Sequence, residues 1–261
     1  PAQAIHSSIA ALALEAGVSE PTVNRFCRSL ETRGFPDFKL HLAQSLAHGT
    51  LYVNRNVDED DSVESYTGKI FESAMASLDQ VHHSLDMSAV NRAVDLLTQA
   101  KKIAFFGLGS SAAVAHDAMN KFFRFNVPVI YSDDIVLQRM SCMNCNDDDV
   151  VVIISHTGRT KSQVELAQLA RENDAMVIAI TSAGTPLARE ATLSITLDVP
   201  EDTDIYMPMV SRLAQLTVID VLATGFTLRR GAKFRDNLKR VKEALKESRF
   251  DKELPVHSDN P

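Results

Sequence analysis

The chain has 261 residues, 45% apolar and 23% charged, as ordinary folded proteins do, which excludes disordered and fibrous classes. No apolar run reaches the ~18 residues of a spanning helix, and Pro1-Ala2-Gln3-Ala4-Ile5-His6 lacks the basic and apolar regions of a signal peptide. Three cysteines are too few for a disulfide framework and the net charge is −7, so a soluble cytoplasmic chain that is not basic throughout is expected.

The charge is uneven. Residues 1–56 carry five basic and four acidic groups, about +1, which leaves about −8 on the rest. In that first segment Ser7 or Ser8 caps a predicted helix with Ile9, Leu12 and Ala13 on its buried face. Gly17 permits a left-handed turn, Val18 tucks under it, and Ser19 caps a second helix. Glu20 and Pro21 suit the first turn of that helix. Val23, Phe26, Cys27 and Leu30 are expected to face inward, while Thr22, Asn24, Arg25 and Arg28 project outward. Phe35-Pro36-Asp37-Phe38-Lys39-Leu40 then docks a following helix. Two short helices around such a turn predict a helix-turn-helix or a plain αα-hairpin. In the first case Arg25 and Arg28 suit base edges in a major groove, and Ser19, Thr22 and Lys39 suit phosphates. The module lacks a helix over its apolar side, so the chain as it begins at Pro1 is expected to miss an N-terminal helix and to bind DNA weakly.

Five acids within Val57–Glu64 mark a solvated linker or the charged start of the next helix. A helix follows from about Tyr66 to Leu85, with Ile70, Ala74, Leu78 and Val81 on one face, then another from Ser88 to Gln99 with Val90, Ala93, Val94 and Leu97. His82 and His83 on the first of these alternate faces, which argues against a metal pair. From Lys101 short Val- and Ile-rich runs alternate with amphipathic stretches. Ile103–Gly107, Val127–Tyr131, Val150–Ser155, Met176–Thr181 and Leu193–Leu197 read as strands. Ala112–Arg124, Ile135–Cys142 and Lys161–Asn173 read as helices. This alternation predicts βαβ units and a parallel sheet covered by helices. Phe122, Phe123 and Phe125 read as core or dimer contacts. The lone Cys142-x-x-Cys145 has no second cysteine pair for zinc and ends a helix rather than opening one. Helices Met209–Leu228 and Lys233–Glu247 close the fold, before a polar tail from 251 to 261.

Two strands end in polar turns that lead into helices: Gly107-Leu108-Gly109-Ser110-Ser111-Ala112 and Ser155-His156-Thr157-Gly158-Arg159-Thr160-Lys161-Ser162. In a parallel sheet both lie at the carboxyl ends of strands, where ligands bind. Hydroxyls, N–H groups and Arg159 together suit a phosphate monoester with hydroxyls. Two alternatives stand: ordinary βα turns, or a dinucleotide site formed by Gly107-x-Gly109-x-x-Ala112 with Asp133 or Asp134 as the ribose acid.

Gly107-x-Gly109-Ser110-Ser111, Ser155-x-Thr157-Gly158-x-Thr160 and Thr181-Ser182-x-x-x-Pro186-Leu187-Ala188 resemble the sugar isomerase (SIS) domain. Joined to Gly17-Val18-Ser19-x-x-Thr22-Val23-x-Arg25-Phe26-Cys27-Arg28, the chain resembles the RpiR family of bacterial transcriptional regulators. The resemblance implies an α/β, flavodoxin-like, five-stranded parallel domain with helices on both faces, preceded by an all-α helix-turn-helix. The divisions are then 1–56 for the DNA-binding module, 57–86 for linker and connecting helix, 87–250 for the phosphosugar-binding domain and 251–261 for the tail. It implies a homodimeric repressor on palindromic operator DNA, with no cofactor and no metal, released by a phosphosugar. Within the family the chain is most similar to regulators that respond to 2-keto-3-deoxy-6-phosphogluconate. Ser111 and Ser155 would contact that effector, beside Gly109, Ser110, His156, Thr157, Gly158, Arg159 and Thr160. Ser211-Arg212 matches a Ser-Arg pair of the family. Thr157 replaces the family's usual serine, and His156 and Arg159 would suit an extra carboxylate. SIS-like domains also occur in aldose–ketose isomerases, which need a general base. His156 is the one titratable group in the turns, since Glu165, Glu172 and His116 sit further along helices, so binding without turnover is the expectation.

Overall fold

A computed structural model describes residues 7–30, 32–39, 42, 61–199, 201 and 210–244. The chain divides into two units, Pro1–Ala76 and Ser77–Pro261. The tail after residue 250 lies outside the described residues, as do 57–60 of the acidic stretch.

In the first unit, Ser8 accepts the Ala11 N–H at 3.1 Å and opens α1, Ile9–Glu15. Its end is a Schellman turn: Val18 N–H donates to Ala13 O at 2.9 Å, Gly17 N–H to Leu14 O at 3.2 Å, and Gly17 takes φ +66°. Ser19 then holds the N-cap position of α2, Glu20–Ser29, without a side-chain cap bond, and Glu20 and Pro21 lie in its first turn. Ala13, Val23, Cys27 and Phe35 form a small core, with Ile9, Leu12 and Phe38 against it.

Phe26 and Leu30 do not face inward as expected. They are 56% and 49% exposed, and Val18 is 43% exposed. A helix of α1's length, about 10 Å, covers the Val23–Cys27 stripe of α2 and leaves the adjoining one open. Phe26 meets Phe38 edge-on, at 6.2 Å between ring centroids.

One continuous helix, α3, spans Val63–Ser84, so the acidic stretch leads straight into a helix: Asp61 accepts from the Ser65 hydroxyl at 2.7 Å and pairs with Lys69 at 2.6 Å. His82 and His83 do not alternate faces. Successive residues of a helix stand 100° apart, and these two rings lie 5.2 Å apart, with donor atoms of both and of Asp79 mutually within 4.8 Å, all three residues exposed.

The second unit holds α4 (Met87–Gln99), β1 (Lys102–Gly107), α5 (Ser110–Phe122), β2 (Val129–Ser132), α6 (Ile135–Met143) and β3 (Asp149–Ile154). It continues with α7 (Lys161–Glu172), β4 (Met176–Thr181), α8 (Pro186–Glu190), β5 (Leu193–Thr196) and α9 (Val210–Ala244). The helix α9 breaks at Gly231, near the boundary expected between two helices. All strand pairs are parallel, in the order β2-β1-β3-β4-β5.

The inner strands β1, β3 and β4 bury both faces, with alternate residues choosing the side, whereas the edge strand β2 is half-buried throughout and β5 buries only alternate residues. Phe105, Val152, Ile154, Ile178 and Ile180 pack with α4, α5 and α9, including the expected Val90, Ala93, Val94 and Leu97. Ala104, Phe106, Val151, Ile153 and Ala179 pack with α6, α7 and α8. Phe122 and Phe125 stack into the first layer with Phe226 and Phe234, whereas Phe123 is 72% exposed. Burial pushes the Cys142 thiol up to about 12, so it stays protonated and serves as core. Among the described residues no helix is long and apolar enough to cross a membrane.

Candidate functional site

Gly107 and Ile154 are register partners at the ends of adjacent strands β1 and β3, so the two polar turns leave the sheet side by side. The strand order makes this the switch point of the doubly wound sheet, where a crevice opens between connections that run to opposite faces. The first turn is tight. Ser111 N–H donates to Leu108 O and Ala112 N–H to Gly109 O, both at 3.1 Å, and a Cβ on Gly107 would stand 2.5 Å from Ser111 O. Ser110 and Ser111 thereby open α5 with hydroxyls that bond to no other described residue, and Ser111 is buried.

The second turn is pinned from below. His156 O accepts from the backbone N–H of Ser182 at 3.1 Å and from its hydroxyl at 2.9 Å, and Gly158 O accepts Leu187 N–H at 3.1 Å. Gly158 is buried with φ +57° against the Thr181 and Thr185 hydroxyls. Thr157 Oγ1 accepts Arg159 N–H weakly, at 3.4 Å. Ser155, buried, and Thr160, exposed at the N-cap of α7, keep hydroxyls with no partner among the described residues. The loop after β4 therefore supports the second turn, a role that the Thr181-Ser182 motif hinted at but that spacing alone did not assign.

Ser211 is already engaged by Glu201. It is 2% exposed, and its hydroxyl and N–H both donate to the Glu201 carboxylate, which also accepts Val210 N–H at 2.9 Å. Arg212 follows in the first turn of α9 and forms no ion pair with a described residue. Glu201 was not legible as a site residue, because its partners lie across a stretch without periodic pattern. Burial lowers the His156 pKa, against the pull of Glu201 and Asp198 upward, so the ring is neutral near pH 7.

The unfolded chain takes up a proton at this position first, so stability is full above the ordinary value of 6.5 and declines as pH falls through it toward the lower folded value. In thermal melts between about pH 7 and about pH 5, wild type should lose more stability than His156→Gln. Parallel pH profiles for the two proteins would contradict this placement.

Of the candidate bases for an isomerase, His156 alone lies in a turn. Glu165 pairs with Arg139 at 3.2 Å on the exposed faces of α7 and α6, and His116 stacks on Tyr131 at 4.9 Å. Of the two ribose-acid candidates of the dinucleotide alternative, Asp134 caps α6, its Oδ1 accepting the N–H groups of Val136 and Leu137 at 2.8 and 2.9 Å. A groove of about 540 Å³ between α4 and α9 is lined by Val90, Val94, Val221 and Leu228 and contains none of the turn residues. Its apolar floor does not suit a phosphosugar.

On the helix-turn-helix unit, Ser19, Arg25 and Arg28 are exposed along α2, and Thr22 is half-buried. Thr22 Oγ1 accepts from Arg25 Nη2 at 3.2 Å and lies 3.0 Å from Ser19 Oγ. Asn24 does not project freely: its Oδ1 accepts Phe35 N–H at 3.2 Å and so holds the turn that follows α2. Lys39 is drawn back likewise, donating to Ser7 O at 3.0 Å over the Phe35 ring. Arg25 and Arg28 are left as the outward cations of α2.

A profile of the SIS domain matches residues 96–225, and one of the rpiR-family helix-turn-helix domain matches residues 1–49. The chain is 90% identical over 260 residues to the HTH-type transcriptional regulator HexR of Escherichia coli K12 and 56% identical to that of Pseudomonas aeruginosa. Each alignment covers 100% of this chain and 90% of the relative. Among solved structures, the Vibrio vulnificus NanR protein complexed with ManNAc-6P matches with a TM-score of 0.66 and 24% identity, covering 95% of this chain and 88% of that one, which shows a shared fold.

Proposed function

Since the chain belongs to the RpiR family of helix-turn-helix transcriptional regulators with a SIS domain, and is a DNA-binding regulator rather than an enzyme, we propose that it represses sugar-catabolism genes in the cytoplasm and releases operator DNA on binding a phosphosugar. The observation that carries the reading is the pair of adjacent turns at the sheet's switch point. There Ser111 and Ser155 are buried with hydroxyls that no described residue uses. Two more hydroxyls, on Ser110 and Thr160, stand at the N-termini of α5 and α7, where partial positive charge favours an anion. The NanR structure supports the ligand class, since the same fold there carries ManNAc-6P, a sugar phosphate.

The effector is 2-keto-3-deoxy-6-phosphogluconate. Its phosphate takes the Ser110 and Ser111 hydroxyls of the first turn, its own hydroxyls reach Ser155 and Thr160 of the second, and its carboxylate is met by Arg159 and Arg212, with His156, neutral near pH 7, as a hydrogen-bond partner. Two copies of the chain pair so that their α2 helices meet successive major grooves of a palindrome. Effector shifts the population toward the released state by its affinity difference between the two states.

The test begins with DNA enriched from a random-sequence pool by the full chain, followed by anisotropy titrations of the enriched site. The site should be palindromic, 2-keto-3-deoxy-6-phosphogluconate should release it, and fructose 6-phosphate and NAD should not. Arg25→Ala should weaken the site by about 1–3 kcal/mol, the worth of a base-reading arginine, with phosphosugar affinity unchanged. Release by NAD alone, or indifference to every phosphosugar, would refute the reading.

A further inference from the structure

Two glutamines are buried beside the same sheet edge, outside both turns. Gln138 in α6 is 0% exposed and Gln163 in α7 is 1% exposed. Gln138 Nε2 donates to Gly107 O at 3.3 Å and to Ser132 O at 2.7 Å, the terminal carbonyls of β1 and β2. Both acceptors are carbonyls, so the amide nitrogen must face them and the amide oxygen must face away. That oxygen accepts from Gln163 Nε2 at 3.0 Å. The orientation of Gln163 is fixed in turn, and its Oε1 has no partner among the described residues.

This arrangement comes at the expense of α7. Thr160 and Gln163 have the spacing of a capping box, in which the glutamine would reach back to the N-cap backbone and the threonine hydroxyl would take the third N–H. The Thr160 hydroxyl makes no such bond, and the Gln163 amide turns inward to Gln138 instead. Apolar residues would fill the same space without burying an unpaired acceptor. What the pair supplies is a connection. The carbonyl just before the first turn is tied, through two side chains, to the first helical turn just after the second. The exposed Arg139–Glu165 pair joins the same two helices from outside, but with 51% and 58% of those side chains in solvent it constrains little.

We propose that Gln138 and Gln163 are positioning residues that set the separation of the two turns, so that a ligand gripping both is bound tightly. The proposal rests on the reading of these turns as the effector site. A ligand that spans the turns senses their separation, whereas one small enough to use a single turn does not.

The full chain is titrated calorimetrically with 2-keto-3-deoxy-6-phosphogluconate and, separately, with inorganic phosphate. Gln138→Leu and Gln163→Leu should each weaken the phosphosugar about tenfold and leave inorganic phosphate within roughly twofold. The double variant should be no weaker than the worse single one, because either substitution breaks the whole connection. Should Gln138→Leu not fold, Gln163→Met carries the test, since it leaves both strand carbonyls bonded to Gln138. Wild-type phosphosugar affinity in the variants overturns the proposal, and so does an equal loss for both ligands. If wild type binds the phosphosugar no better than inorganic phosphate, the effector-site reading itself fails.

Discussion

Replacing Ser111 and Ser155 together by alanine lowers phosphosugar affinity by about 100-fold and leaves operator affinity intact. Each hydroxyl is buried and bonds to no other described residue, so removing it breaks no contact that holds the fold. The Ser111 bond to the charged phosphate is worth ~1.5–3 kcal/mol and the Ser155 bond to a neutral hydroxyl ~0.5–1.5 kcal/mol, a sum that brackets the ~2.7 kcal/mol of a 100-fold loss. Anisotropy titrations of operator DNA at rising 2-keto-3-deoxy-6-phosphogluconate give both quantities from one protein sample. Release of DNA by the double variant at wild-type effector concentrations would remove these serines from the site.

The second large effect is on the turn itself. Gly158→Ala places a Cβ at φ +57° in contact with the Thr185 and Thr181 side chains. The left-handed conformation costs a non-glycine residue ~1–2 kcal/mol, and overpacking adds ~1–3 kcal/mol. Neither threonine moves freely. Thr185 Oγ1 accepts Ala188 N–H at 3.2 Å to cap α8 and donates to Ser182 O at 3.1 Å. At about 2–4 °C per kcal/mol for a domain of this size, the melting temperature should fall by roughly 5–15 °C, and effector affinity should fall with it. A variant melting within about 1 °C of wild type would show that the turn adapts at no cost and that Gly158 is not what shapes it.

Much of the architecture could be read from local pattern. Val- and Ile-rich runs of five or six residues announce strands buried on both faces, because a central parallel strand has no solvent side. The Val90, Ala93, Val94 and Leu97 stripe identifies the core face of α4, since a single helical period decides it. The errors arise where a neighbour had to be known. Phe26 and Leu30 have the spacing of core residues, yet α1 is only seven residues long and leaves them exposed. Asn24 lies on the outward side of α2 by periodicity, and only the return of the chain at Phe35 gives its carbonyl oxygen a partner.

The two modules, the parallel sheet and the two hydroxyl-rich turns are written locally, because each depends on residues close together in the chain. Turn chemistry, caps and hydrophobic period act over a few residues and leave their mark there. Which groups meet at the sheet edge depends instead on long-range packing. The Gln138 amide reaches a carbonyl 31 residues away and a second amide 25 residues away, and Glu201 closes on Ser211 across ten. Strand order brings such pairs together, and side chains buried there must satisfy whatever polar groups they meet. No local rule of spacing encodes that requirement.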